Sequence, residues 1–292
     1  MKKHSLKDWL IAVRPWSFPA SAMPVIVTLA YLYWAYGVID WKNGVLALVG
    51  IIIFHASGNA WSDYFDFERG VDRADTFGVK TLTSGQFMPL EIRNLAIGLM
   101  VPAVAIGLWL VVRTGLPLLW VGVCGAICSS LYPWLKYRAF GDFVIFVAYA
   151  ILPTLGISYI TVGKFLPDLL LIIVPVGLIT VAILHANNTR DIETDVRAKI
   201  STLAMKLGKK TDILLYIFEV IFPFLWIVGC VVLGYFPWWS LLTMLGLLPA
   251  IANARAMLRL PKEGISAISN LDEKTAKLQL LFSLLFTVTF LI

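Results

Sequence analysis

Charge is what this chain has least of. Asp, Glu, Lys and Arg make up only 14% of its 292 residues, where soluble domains carry about a quarter. Set beside a hydrophobic share of 59%, that shortage excludes an ordinary water-exposed globular domain. Cysteine is also scarce, with only Cys124, Cys128 and Cys230, so no disulfide framework is implied. Cys124 and Cys128 stand four apart in an apolar run without a nearby histidine, which suits small helix-packing residues better than a metal site. No basic stripe or RNA-binding motif accompanies the net charge of +6, which argues against nucleic acid. Low-complexity stretches and leftover soluble segments are missing as well. The apolar stretch from Trp9 to Val13 is too short for a signal-peptide core and lacks a plausible cleavage site, so the first span is expected to stay as an anchor.

Long apolar runs, by contrast, are abundant. A bilayer-spanning helix needs about 20 largely apolar residues, and hydropathy predicts nine, at approximately 18–37, 43–61, 91–112, 116–134, 140–162, 166–186, 212–234, 237–256 and 276–292. The fold class read from this pattern is all-α and polytopic. The basic residues then fix an orientation. Of the 24 Lys and Arg residues, only Lys42, Arg113 and Lys164 fall on one side of these spans. By the positive-inside rule the N-terminus is inside and, with nine spans, the C-terminus outside. Outer connections are short, whereas two inner loops, about 62–90 and 187–211, are long enough to carry function. Residues 1–292 read as a single transmembrane domain.

Both long loops begin with the same chemistry. The first opens Asn59-Ala-Trp-Ser-Asp63-Tyr-Phe-Asp66-Phe-Glu68-Arg-Gly70-Val-Asp72, the second Asn187-Asn188-Thr-Arg190-Asp191-Ile-Glu193-Thr-Asp195. On a helix leaving the membrane, Asn59, Asp63 and Asp66 form one ridge, and Asn187, Asp191 and Asp195 another. Clustered carboxylates beside an apolar helix repel each other and resist desolvation, a cost that a divalent cation removes. Magnesium takes carboxylate and phosphate oxygens together, and loop Lys and Arg residues neutralise the remaining phosphate charge. A diphosphate at the mouth of a membrane cavity suggests an isoprenoid substrate. Acids that merely balance neighbouring bases on a solvated face are the blander alternative. Two matching motifs on one side of the membrane favour function.

These residues resemble the UbiA superfamily of intramembrane aromatic prenyltransferases over essentially the whole chain. Asp63-Tyr-Phe-Asp66-Phe-x-x-Gly70-x-Asp72, Asn187-Asn188-x-Arg190-Asp191-Ile-x-x-Asp195, Lys199-x-x-Thr202-Leu-Ala-x-x-Leu-Gly208 and Arg14-Pro-Trp-Ser-Phe-Pro19 are most similar to its MenA branch. The resemblance implies nine transmembrane helices around a central cavity, Mg²⁺ as cofactor, and transfer of a polyprenyl chain from its diphosphate to 1,4-dihydroxy-2-naphthoate in menaquinone synthesis. Runner-up acceptors are 4-hydroxybenzoate, homogentisate or a chlorophyll precursor. Two positions depart from the branch: Ser62 stands where many members carry a second Asn, and Lys80 stands alone where Pro-Arg with further basic residues is usual.

The expected metal ligands and catalytic residues are Asp63, Asp66, Asp191 and Asp195. Asn59, Asp72, Lys80, Tyr132, Lys136, Asn187, Asn188, Arg190 and Lys199 are expected to contact substrate. Tyr132 and Lys136 read equally well as an interfacial aromatic and a snorkelling lysine, with Asp142 a possible orienter of Lys136. His55 and His185 lie toward the apolar side of the motifs, where a phenol could be deprotonated, although structural histidines are the commoner case. Glu219 is an intramembrane ionisable group of unassigned role. The expected partners are a polyprenyl diphosphate, an aromatic acceptor and membrane lipid, at the cytoplasmic side of the inner cell membrane. A cation-coupled transporter is the competing class, but it predicts acids near the bilayer midplane rather than at span ends. A prenyl-binding scaffold without turnover is a third.

Overall fold

The computed structural model describes residues 4–74, 76–78 and 80–292; Lys2 and Lys3, counted above toward the inner charge, lie outside the described residues. Every element among the described residues is helical. The first, α1 (Leu6–Val13), starts at Ser5, whose hydroxyl accepts from the Asp8 N–H while the Asp8 carboxylate accepts from the Ser5 N–H at 2.8 Å. This reciprocal cap satisfies two otherwise orphaned donors. Arg14 then turns into the left-handed region at φ 55°, and Pro19 opens α2 (Pro19–Tyr36). Proline at the first helical position loses no hydrogen bond. Together α1 and α2 form a pair bent by 52°.

Next come α3 (Trp41–Glu68), α4 (Pro89–Thr114) and α5 (Pro117–Leu135), the first capped by Asp40 and the others begun by proline. Helix α6 (Gly141–Val162) carries a widened π-type turn at Val147–Ile151, directly before Pro153, which has no N–H to give the ladder. The second half comprises α7 (Pro167–Arg190), two short helices α8 (Ile192–Arg197) and α9 (Leu203–Leu207), α10 (Lys209–Val232), α11 (Trp238–Ile268) and α12 (Leu271–Thr289). Among the described residues seven helices are long and apolar enough to cross a bilayer, or eight if the bent α1–α2 pair counts as one span. By length and composition, the expected nine spans are therefore not confirmed. The difference lies in α12, whose first turns carry Asp272, Glu273, Lys274 and Lys277. Long apolar helices of this number make a multi-pass membrane protein.

Helix α7 is the centre of the packing: 67% of its apolar stretch is buried, against 17% in α4 and 11% in α5. The outer faces of α4 and α5 expose Val112, Leu116 and Trp120, side chains that lipid, not water, would cover. Gly177 lets α6 lie against α7, because a Cβ there would come within 2.5 Å of the Phe146 ring. On the far side α12 contributes Phe282, Phe286 and Phe290, fully buried, with Phe224 and Phe236 set edge-on to them at 5.3–5.6 Å. Ser57 of α3 ties to α4 by donating to the Ala96 carbonyl at 2.7 Å.

Between these helices opens a cavity of about 1000 Å³. Its depth is apolar, lined by Ile51 and Phe54 of α3, Leu110 of α4, Val121 of α5 and Ile157 of α6. Its other end is polar.

Candidate active site

Helix α3 continues unbroken through Asp63 and Asp66 to Glu68, so the first acids ride on a helix end rather than in a loop. Asp63 is buried and held by the Arg14 guanidinium. Its counter-charge thus comes from the turn between α1 and α2, which Asn59 also fastens by donating to the Val13 carbonyl and the Ser17 hydroxyl, both at 3.0 Å. Asp66 accepts from Lys136 Nζ at 2.5 Å and from the Tyr137 hydroxyl. Ser62, one turn back, accepts from the same ammonium at 3.1 Å. Burial works against the Lys136 charge, yet Asp66 outweighs it and holds the ammonium above its ordinary value. Gly141 makes room for this lysine: a Cβ at 141 would lie 3.2 Å from Lys136 Cβ and 3.3 Å from its Cα.

Helix α7 ends at Arg190, and Asp191 is the hinge into α8, with the Asp195 N–H donating back to the Asp191 carbonyl at 2.9 Å. Arg190 grips Asp191 through two nitrogens at 2.8 and 3.0 Å and reaches Asp272 of α12 at 2.6 Å. It also donates to the Asn187 side-chain oxygen, and Phe77 lies over its guanidinium at 4.6 Å. Arg190 is thereby the knot joining α7, α12 and the segment after α3.

The two sets of acids meet. Burial, then Asp191, pushes the Asp195 carboxyl up to about 7, with Asp66 and Asp72 of the other motif adding to the effect and Lys136 opposing it. Burial, then Asp66 and Asp63, pushes Asp72 up to about 6. Both shifts come first from burial and then from neighbouring carboxylates, a buried acidic set that suits a hard cation. Among the described residues no three of His, Cys, Asp or Glu already converge as a metal cluster. Magnesium would accordingly need oxygens from a substrate as well as from protein.

Of the thirteen expected residues, Asn59, Asp66, Asp72, Tyr132, Lys136, Asn187, Asn188, Arg190, Asp191 and Asp195 line the polar end of the cavity. Asp63 sits behind the wall, beneath Arg14, which does line it. Two cations are not brought in. Lys80 spends its ammonium on the Thr76 and Arg73 carbonyls of its own loop. Lys199 is exposed at a left-handed residue that ends α8, φ 57°. Asp142 does not orient Lys136, whose partner is Asp66; both Asp142 oxygens are buried without a hydrogen bond. His185 and Glu219 form a separate buried unit with Asp212 of α10, the imidazole lying 2.8 Å from Glu219 and 2.9 Å from Asp212. The residues that sequence reading missed are Arg14, Tyr137, Asp272 and Phe77. Arg14 carried a signal, a lone cation at the inner end of the first apolar run; Phe77 carried none.

Comparison with known proteins gives consistent matches. The family model described as "UbiA prenyltransferase family" matches residues 22–270. The chain is 32% identical over 284 residues to the UbiA prenyltransferase domain-containing protein 1 of Gallus gallus, covering 95% of this chain and 83% of that one. The protein of the same name from Homo sapiens is 32% identical over 75% of this chain and 66% of its own. Among solved structures, a UbiA homolog from Archaeoglobus fulgidus bound to GPP and Mg²⁺ superposes with a TM-score of 0.67 at 14% identity, over 98% of this chain and 100% of that one. A structure described for digeranylgeranylglyceryl phosphate synthase superposes with a TM-score of 0.65 at 22% identity, covering 98% of each. At those identities the likeness is one of fold.

Proposed function

From the premise that the chain belongs to the UbiA prenyltransferase family, and so is an intramembrane prenyltransferase, we propose that it is the 1,4-dihydroxy-2-naphthoate polyprenyltransferase of menaquinone synthesis. The observation that carries the reading is the cavity itself: one polar end where acids of both motifs meet Lys136 and Arg190, and one apolar depth able to take an isoprenoid tail. The naphthoate acceptor is supported by the motif resemblance to the MenA branch. A diphosphate donor and Mg²⁺ are supported by the ligands of the Archaeoglobus homolog. The proposed orientation sets the polar end at the cytoplasmic face of the inner membrane, in line with the skew of Lys and Arg, and residues 1–292 act as one domain.

In this reading Asp66, Asp72, Asp191 and Asp195 offer carboxylate oxygens, with Asp63 setting Arg14 behind them. Bound with the diphosphate, Mg²⁺ supplies Lewis-acid charge that stabilises the leaving group. Lys136, Arg14 and Arg190, each already at the cavity wall, turn toward phosphate oxygens and neutralise what remains. Tyr132 and Tyr149, which also line the cavity, present ring faces able to shield an allylic cation. Asn187 and Asn188 orient the diphosphate. The acceptor ring attacks the allylic carbon, and a naphthoate additionally loses its carboxylate as carbon dioxide.

The test is one assay of the purified full chain with Mg²⁺, a panel of prenyl diphosphates, and naphthoate against 4-hydroxybenzoate, read by product mass. The expected product is the decarboxylated prenyl naphthoquinol. Product from the benzoate alone would overturn the acceptor and leave the family standing.

A further inference from the structure

The three histidines of the chain include one that faces the cavity, and it is not accounted for by packing. His55 lies on α3, buried, four residues before Asn59, and lines the cavity together with Ser17, Asn59 and Tyr149. Eight residues, about 12 Å of helix, separate it from Asp63. That distance leaves room for a two-ring acceptor between the histidine and a reacting carbon near the acids.

Its hydrogen bonds define which nitrogen is free. The Ser21 hydroxyl donates to the Phe18 carbonyl at 3.1 Å, and the Ser17 hydroxyl donates to the Arg14 carbonyl at 2.8 Å. Each hydroxyl has a single proton to give, and in both it is committed to backbone. Ser21 Oγ, 2.8 Å from His55 Nδ1, is therefore the acceptor of an Nδ1–H. The proton of the neutral ring is then used, and Nε2 keeps a lone pair. Ser17 Oγ lies 3.4 Å from Nε2, a long contact, while its proton goes to the Arg14 carbonyl at 2.8 Å and it accepts from the Asn59 amide at 3.0 Å, so among the described residues that lone pair has no close donor. The Tyr149 ring, 4.8 Å away centre to centre, and Phe18, at 5.7 Å, fix the imidazole plane.

Building on the acceptor reading above, we infer that His55 Nε2 receives the phenolic proton of the aromatic acceptor, making His55 the general base that activates the ring. The step balances without a further reagent. As the allylic C–O bond breaks, its electron pair leaves with the diphosphate. A π pair of the acceptor ring forms the new C–C bond, and the hydroxyl proton passes to Nε2, giving a dienone and an imidazolium still bonded to Ser21. The carboxylate on the attacked carbon then departs as carbon dioxide, its bonding pair restores the aromatic ring, and the oxygen takes the proton back from His55. The histidine ends neutral, as it began.

The experiment compares the wild-type full chain with His55→Asn and His55→Gln in lipid nanodiscs, using geranylgeranyl diphosphate, Mg²⁺ and 1,4-dihydroxy-2-naphthoate. Asn preserves a donor to Ser21, while Gln preserves an acceptor near Nε2 without its basicity. Both variants are expected to lose about 10²-fold in kcat, with KM for the diphosphate and for Mg²⁺ unchanged. His55→Asn at wild-type kcat would overturn the inference, because the Ser21 contact alone would then suffice. A wild-type protein that transfers nothing to the naphthoate would instead overturn the reading on which it rests. Should the variants not fold, ¹⁵N-histidine spectra of the wild type decide the matter. A neutral ring with an unprotonated Nε2 that shifts on naphthoate binding is expected; a ring protonated at Nε2, or one unmoved by naphthoate, would sink it.

Discussion

At the end of α3 the acids draw their counter-charge from distant parts of the chain, Asp63 from Arg14 and Asp66 from Lys136, with the Tyr137 hydroxyl as a further donor. At the end of α7 the charge pairing is local: Arg190 grips the adjacent Asp191, and its outward contacts are Asp272 and the Phe77 ring. The histidines behind them differ too. His55 sits among serine hydroxyls, whereas His185 bridges two buried carboxylates, with Thr189 donating to Asp212 at 3.0 Å beside it. Both His185 nitrogens are engaged by buried carboxyl groups, so neither is open to a ligand. Two motifs of similar spelling thus end in different environments. The α3 end is adjustable and assembled from tertiary contacts. The α7 end is anchored from below by a charged lock.

Several measurements press on this contrast. If both ends hold one metal and one diphosphate, Asp66→Asn and Asp191→Asn should each lower kcat/KM by about 10³-fold. Their double variant should be little worse than either alone, and chelation of Mg²⁺ should erase transfer in all. Additive losses would mean the ends act separately. The lock is next. His185→Ala leaves Glu219 buried without its partner and Asp212 with the Thr189 hydroxyl alone, a type of loss that costs about 3–5 kcal/mol, and a large fall in melting temperature is expected. His55→Ala has no buried charge to strand, so it should melt much nearer to wild type; equal falls would erase the distinction.

Tyr137→Phe removes a donor to Asp66 that burial keeps protonated, burial being what pushes the phenol up. A hydrogen bond to a charged group is worth about 1.5–3 kcal/mol, so a rise in the Mg²⁺ requirement of about tenfold or more is expected, with the fold intact. The smallest effect concerns pH. Burial raises Asp72 from the ordinary 3.8 to about 6 and Asp195 to about 7. For raised acids the folded state binds protons more tightly, so their contribution to stability is complete below about pH 4 and is lost as pH rises through 6 to 7. Metal-free protein should therefore melt a few degrees lower at pH 8 than at pH 5.5. The stabilisation by Mg²⁺ and diphosphate should grow over the same interval, and a flat difference would remove the account of crowded charge.

Much of this was legible beforehand because it depends on local pattern. Apolar runs and prolines predict the helices, and Asn–Asp spacing marks the ridges on α3 and α7. What escaped depends on long-range closure. Arg14 reaches Asp63 across 49 positions only because residue 14 turns left-handed. The His185 lock joins two helices whose facing sides periodicity alone does not pair. The ninth span is not confirmed as a count because α12 begins with charges that pack against neighbouring helices, as Asp272 does on Arg190. Charge and position along the chain do not show that Lys80 turns to the carbonyls of its own loop or that Lys199 faces outward.

Gly141 has a bearing on how variants of this protein are to be interpreted. It has no functional group, and its place is 3.2 Å from the carbons of Lys136. An alanine there obliges Lys136 to give by a few tenths of an ångström, so Gly141→Ala is expected to lower turnover by loosening the Lys136 contact with Asp66. In a genetic screen that position would score among the acids and the lysine, although all it contributes is vacant space. Residues selected by such a screen therefore include some whose chemistry belongs entirely to a neighbour.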